Sequence, residues 1–207
     1  MELQYFGANC VRIITKKASI VVDDNLAELG AKSVTKAEDV AIVTNSNIIK
    51  APTARMVLDQ PGEYEVSNVS IQGVAARAHM DTAETNATIF KLQAEDIRMV
   101  IVGHIYPDLT DDELEAIGTV DVLIIPVGGN GYTLDPVGAL KVIKKVEPKM
   151  IIPTHYADKT LKYEVPQQDL ATAIKELAME PTETVAKLKI KSTELPETTQ
   201  LIVLEKQ

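Results

Sequence analysis

The stretch VDVLIIPVGGNGYTLDPVGALKVIKKVEPKMIIPTHY, residues 120 to 156, decides the fold. Its first part, DVLIIPV, is a short continuous apolar run bounded by glycines, the pattern of a strand buried on both faces. The part that follows opens on Asp135, a good N-cap, with Pro136 at the first helical position, where its missing N–H costs nothing. Apolar side chains then recur at Val137, Leu140, Val142, Ile143 and Val146, close to one face of an amphipathic helix. MIIPTHY is a second buried strand. Strand, helix and strand in this order predict a βαβ unit.

Upstream of this unit the chain reads mainly as strands. LQYF and CVRIIT are separated by Gly7-Ala8-Asn9, SIVVDD follows a basic turn, and VAIVT, RMVLD, YEV, VSIQGVAARA, ATIFKLQ and IRMVIVG come after. LTDDELEAIG predicts a short helix with Thr110 as N-cap, Glu113 as its capping-box partner and Gly118 at its end. Downstream, QQDLATAIKELAM reads as another amphipathic helix, and KLKIKS and TQLIVLE read as two closing strands around the turn TELPET. So much strand with a few amphipathic helices is most economically arranged as two sheets covered by helices.

The chain has 207 residues, 45% of them apolar and 25% charged, and a formal net charge of -9. That length predicts one domain over residues 1–207. The acidic balance argues against nucleic acid and against an anionic membrane surface as partners, since both are held by Lys and Arg. Cys10 is the only cysteine, so neither an intrachain disulfide nor a cysteine zinc cluster can form. MELQYFGANCVRI lacks a secretory pattern and no segment approaches the roughly 20 apolar residues that span a bilayer, so a cytoplasmic location is expected.

Several segments together resemble the metallo-β-lactamase-fold superfamily, in particular the small hydrolase-like branch related to the ascorbate-6-phosphate lactonases. YFGANCVRI followed by IVVDDN resembles that branch's opening hairpin, PGEYEV and VSIQGVAARAH its central strands, and residues 120 to 156 its most specific segment. The resemblance covers nearly the whole chain and implies an α/β fold, a four-layer αββα sandwich with its site at one sheet edge. Active members carry His-x-His-x-Asp-His directly after a buried strand. Here that place reads NSNIIK: Asn45 and Asn47 stand for the first two histidines, Ile49 for the aspartate and Lys50 for the last histidine.

The three histidines fall on or beside other ligand positions of the family. His79 matches the third histidine of the first metal site and His155 the last histidine of the second, while His104 stands where a bridging aspartate is usual. Amides bind zinc poorly, isoleucine has no lone pair and an ammonium repels a divalent cation, so no cofactor is expected and a two-zinc hydrolase is disfavoured. The leading expectation is a degenerate metal centre forming a polar pocket of Asn45, Asn47, Lys50, His79, His104 and His155. It would bind a small anionic ligand, with Lys50 and the imidazoles supplying charge and donors.

The competing expectation is a hydrolase of a small ester, lactone or phosphoester, with one zinc or other divalent metal on His79, His104 and His155. A third is a non-catalytic scaffold or regulatory subunit. Lys50, His104 and Asp135 are the candidate catalytic groups. Thr133 and Asp135 border the pocket by the resemblance, and GGNGYT otherwise reads as a turn, since it lacks a P-loop's Lys-Ser/Thr ending. No Gly-x-Ser-x-Gly elbow is present, which removes that class of serine hydrolase.

Overall fold

The computed structural model describes residues 1–79 and 85–207. Among these the chain forms two stacked β-sheets. The first holds β1 (Glu2–Gly7), β2 (Cys10–Ile14), β3 (Ser19–Val22), β4 (Val40–Ile42) and β5 (Met56–Leu58). The second is built from β6 (Gly62–Val66), β7 (Val69–Ala76), β8 (Ala87–Ala94), β9 (Ile97–Ile101), β10 (Val122–Pro126) and β11 (Met150–Thr154). Three of the last strands complete them: β12 (Pro181–Val185) and β14 (Gln200–Leu204) join the second sheet, and β13 (Leu188–Lys189) joins the first. The orders are β13-β1-β2-β3-β4-β5 and β12-β14-β11-β10-β9-β8-β7-β6.

Side-chain periodicity explains the stacking. In β1 the alternation places Leu3 and Tyr5 in the core between the sheets. In β10 every residue is buried, because successive side chains enter different cores: Val122 and Ile124 face the other sheet, Leu123 and Ile125 the helices. The helices α1 (Asp111–Ile117), α2 (Pro136–Val146) and α3 (Leu170–Leu177) contribute Ile117, Ala139, Val142, Ile143, Ala173 and Leu177 to that second core. β10, α2 and β11 form the βαβ unit read from the sequence, with β10 and β11 parallel.

The caps of α1 and α2 are the predicted ones. Thr110 and Glu113 satisfy each other's backbone N–H groups, and Asp135 accepts from the Gly138 N–H. On the outer face of the first sheet, a third apolar cluster of Ala8, Cys10, Val21, Leu26, Leu29 and Leu161 is covered by turns around residues 25–31 rather than by a regular helix.

One sequence expectation fails near the C-terminus, and one strand there goes unread. KLKIKS and TQLIVLE do not form a hairpin: β13 pairs with β1 in one sheet and β14 lies between β11 and β12 in the other. The strand β12 goes unread because PTETV begins with Pro and faces solvent over most of its length, which erases the apolar alternation.

The ends of β3, β4, β9, β10 and β11 meet at one edge of the sandwich. A clamp of hydrogen bonds holds them there. The Asp23 carboxylate, past the end of β3, accepts from the Thr44 N–H at 2.7 Å, the Thr44 hydroxyl at 2.6 Å and the Asn9 amide at 3.1 Å. The Thr154 hydroxyl donates to Asn9 Oδ1 at 2.6 Å, and the His155 N–H donates to the Ala8 carbonyl at 2.7 Å. Thr88 on β8 donates its N–H to the Thr44 carbonyl at 2.8 Å, so the two sheets are stitched at the site.

The closeness of these strand ends depends on glycine. A Cβ at Gly103 would overlap the Thr44 side chain, and one at Gly128 would overlap the His155 carbonyl oxygen and Oε1 of Gln167. Backbone cannot step aside as a flexible side chain can. Gly128→Ala is therefore expected to destabilise the chain by about 3 kcal/mol, measured as a lowered urea midpoint with unchanged slope; a loss under about 0.5 kcal/mol would mean that this approach is not constrained.

Candidate functional site

A cavity of about 160 Å³ opens at this edge, lined by Asn45, Asn47, His79, Asn86, His104 and Tyr132 among others. Each comes from the loop after a strand: Asn45 and Asn47 after β4, His79 after β7, His104 after β9 and Tyr132 after β10. Loops at strand ends place side chains together without disturbing the sheet.

The loop after β4 is a short helical turn. Asn45 acts as its cap, with Oδ1 accepting from the Asn47 N–H at 3.0 Å and its carbonyl accepting from the N–H groups of Ile48 and Ile49. Asn45 is buried, Asn47 is exposed, and Ile49 is 2% exposed within the protein.

All three imidazoles are tethered in the same sense. Nδ1 of His79 lies 3.2 Å from the Ile105 carbonyl, Nδ1 of His104 3.3 Å from the Tyr132 carbonyl, and Nδ1 of His155 3.1 Å from Oε1 of Gln167. A carbonyl-type oxygen can only accept, so in each ring Nδ1 carries a proton, and the neutral rings of His104 and His155 keep a lone pair on Nε2. Nε2 of His104 is buried and has no partner among the described residues, and the same holds for Oγ1 of the fully buried Thr133.

His104 and His155 meet edge to face with ring centroids 4.9 Å apart, and His104 meets Tyr132 at 5.0 Å. Burial, together with the neighbouring His155 and His79, holds His104 at a pKa of about 3. Burial holds His155 at about 4, against the opposing hydrogen bond that its ring donates to Gln167. Both rings are neutral at neutral pH. Burial lifts the Asp23 carboxyl to about 6 even though Thr44 and Asn9 favour its charged form.

The structure brings Asn45, Asn47, His79 and His104 together as expected and places His155 behind His104. It separates the others. Lys50 faces a neighbouring cavity with Asp24, Asn25 and Glu28, because the helical turn rotates it away from Asn47. Its ammonium supplies no charge to the histidine pocket. Asp135 is also not free for chemistry: its Oδ1 caps α2 through a 2.6 Å bond from the Gly138 N–H. Tyr132, Asn86 and Gln167 join or orient the pocket without having been read as site residues. Among the described residues, no three His, Cys, Asp or Glu side chains are grouped so as to hold a metal ion. No helix among them is long and apolar enough to cross a membrane.

The profile of the Beta-lactamase superfamily domain matches residues 2–155. A Thermotoga maritima protein described as a candidate zinc-dependent hydrolase of the metallo-β-lactamase superfamily has the same fold, with a TM-score of 0.75, 28% identity and 99% of each chain covered. A metallo hydrolase of Ignicoccus hospitalis superposes with a TM-score of 0.62 at 15% identity, over 99% of this chain and 94% of that one, and supports the fold alone. The UPF0173 metal-dependent hydrolase of Carboxydothermus hydrogenoformans is 49% identical over 43 residues, which is 21% of this chain and 19% of that protein. Its counterpart in Thermoplasma acidophilum is 40% identical over 47 residues, again 21% of this chain and 20% of the relative. These matched segments span about a fifth of the two hydrolases' length.

The buried titratable groups set the response to acid. His104 and His155 have folded pKa values below the ordinary value of 6.5, so their stabilisation is complete above about pH 6.5. It is lost as pH falls toward 4, when only the unfolded chain takes up the protons. Asp23 acts in the opposite direction: its raised pKa adds stability below about 3.8 that is lost as pH rises through about 6. One carboxyl offsets one imidazole, and unfolding free energy is expected to fall by on the order of 3 kcal/mol between about pH 7.5 and about pH 4.5. Urea titrations across that range check this, and His155→Gln is expected to flatten most of the decline.

Proposed function

Because the chain belongs to the β-lactamase superfamily domain family, we propose that it keeps the pocket of a metallo-β-lactamase-fold hydrolase without the two-metal centre, and that this pocket binds a small uncharged ligand bearing an O–H or N–H donor. The residues do not fit a pair of divalent ions. Asn45 has its amide oxygen committed to the Asn47 N–H, Ile49 is buried and without lone pairs, and Lys50 faces the next cavity. No hydrolytic step is derived through such a pair.

The observation that carries the ligand reading is the unpartnered Nε2 of His104. It is a neutral, buried lone pair on a residue that lines a small cavity, and such a group is satisfied by a donor from outside. An anion, the ligand expected from the sequence, would need the charge of Lys50 or of an imidazolium. The first lies elsewhere, and burial suppresses the second at His104 and His155.

One further reading rests on the common tethering of the three Nδ1 atoms. Imidazoles that bind metal usually donate their other N–H to an oxygen, which fixes the lone pair outward, and the named relatives are called metal-dependent hydrolases. A single divalent metal on His79, His104 and His155 would supply an activated water for a small ester, lactone or phosphoester, but among the described residues these side chains are not grouped so as to hold an ion, which disfavours this reading.

Metal content and ligand binding separate the two. After incubation with Zn²⁺ or Mn²⁺ and desalting, mass spectrometry is expected to find well under one metal per chain. Two per chain would overturn the proposal, and one per chain lost in His104→Ala would establish the single-metal reading. In thermal-shift assays phenol and acetamide are expected to raise Tm, whereas phosphate and acetate are not. His104→Phe is expected to abolish the shift and Lys50→Ala to leave it unchanged.

A further inference from the structure

The loop that brings Asn45 and Asn47 to the histidine pocket presents Lys50 to a different cavity, of about 350 Å³. Asp24 and Asn25 form its buried end, and its rim includes Glu28, Ser33, Thr35 and Lys50. One oxygen of Asp24 is heavily used. Oδ2 accepts from the Ser33 hydroxyl at 2.7 Å, the Val34 N–H at 2.8 Å, the Thr35 N–H at 2.7 Å and the Thr35 hydroxyl at 2.6 Å.

The other oxygen has no donor. Neither Oδ1 of Asp24 nor Oδ1 of Asn25 is hydrogen-bonded among the described residues, although the two residues are only 5% and 7% exposed. Leaving a buried acceptor unpaired costs about 1–3 kcal/mol. Two such oxygens on adjacent residues of one cavity call for a donor from outside the chain. Glu28 adds a second negative group near them, and Lys50 sets a positive charge on the same rim.

We infer that this cavity binds a small primary amine that also carries an anionic group, with its ammonium donating to Oδ1 of Asp24 and Oδ1 of Asn25 and its anionic group paired with Lys50. An ammonium has three N–H donors and no acceptor, which matches a wall of acceptors. A simple anion would meet Asp24 and Glu28. A bare divalent ion could use the same oxygens, but it would leave most of the cavity unfilled and would be opposed by Lys50.

The test is a titration of the ¹⁵N-labelled full chain with β-alanine, propylamine, propionate and calcium chloride. β-Alanine is expected to move the backbone signals of Val34 and Thr35 and the side-chain amide of Asn25, propylamine to move them with weaker affinity, and propionate to leave them in place. Lys50→Ala should bring β-alanine down to the affinity of propylamine. Asn25→Ala should weaken both amines about tenfold. Glu28→Gln, at an exposed position that leaves the fold intact, should weaken both to a lesser degree. The inference is overturned if neither amine moves these signals, if calcium moves them and the amines do not, or if Lys50→Ala binds β-alanine as tightly as the parent chain.

Discussion

A carboxylate sealed from solvent is an expensive group to keep, and Asp23 is kept because three donors converge on it. The Thr44 N–H and hydroxyl and the Asn9 amide replace the water it has lost, while burial still raises its pKa to about 6. The bonds reach both sheets, since Asn9 accepts from Thr154 at the end of β11 and Thr44 accepts from Thr88 on β8. Removing the carboxylate would leave the buried Thr44 and Asn9 donors unsatisfied, on the two residues that also bond the second sheet. The edge at which every pocket residue emerges is thus held by polar geometry, whereas the rest of the sandwich is held by aliphatic packing.

Above that clamp, the loop after β4 decides what the edge can do. As a turn capped by Asn45, it directs Asn47 to one cavity and Lys50 to another while burying Ile49 between them. The buried imidazoles of His104 and His155 are uncharged, and the loop's only cation is elsewhere. A chain with a net charge of -9 gains from this separation, because an ammonium near Asp24 and Glu28 is better placed than one beside His104 and His155, which burial keeps uncharged.

Much of the fold was legible because its signals are local. Thr110 with Glu113, and Asp135 with Pro136, mark helix starts through bonds that span three residues, and the all-apolar run of β10 marks a strand covered on both faces. The convergence of Asn45, Asn47, His79 and His104 was legible only through the family resemblance, since nothing in their spacing brings three strand ends together. What could not be read depends on rotation and on tertiary context. The direction of Lys50 follows from the pitch of a single helical turn, and the place of β12 from partners rather than from its own pattern. Tyr132 sits within GGNGYT, whose glycines signal a turn and say nothing about the ring beside His104.

The rims of the two sheets have a consequence for how copies of this chain behave toward each other. Among the described residues the outermost strands are β13 with two residues, β5 with three, β6 carrying Glu63 and Glu65, and β12 beginning at Pro181 with exposed Glu183. Each offers a foreign strand too little length, a charge or a missing N–H. Open backbone that could recruit further chains into a growing ribbon is thus blunted at each of these borders.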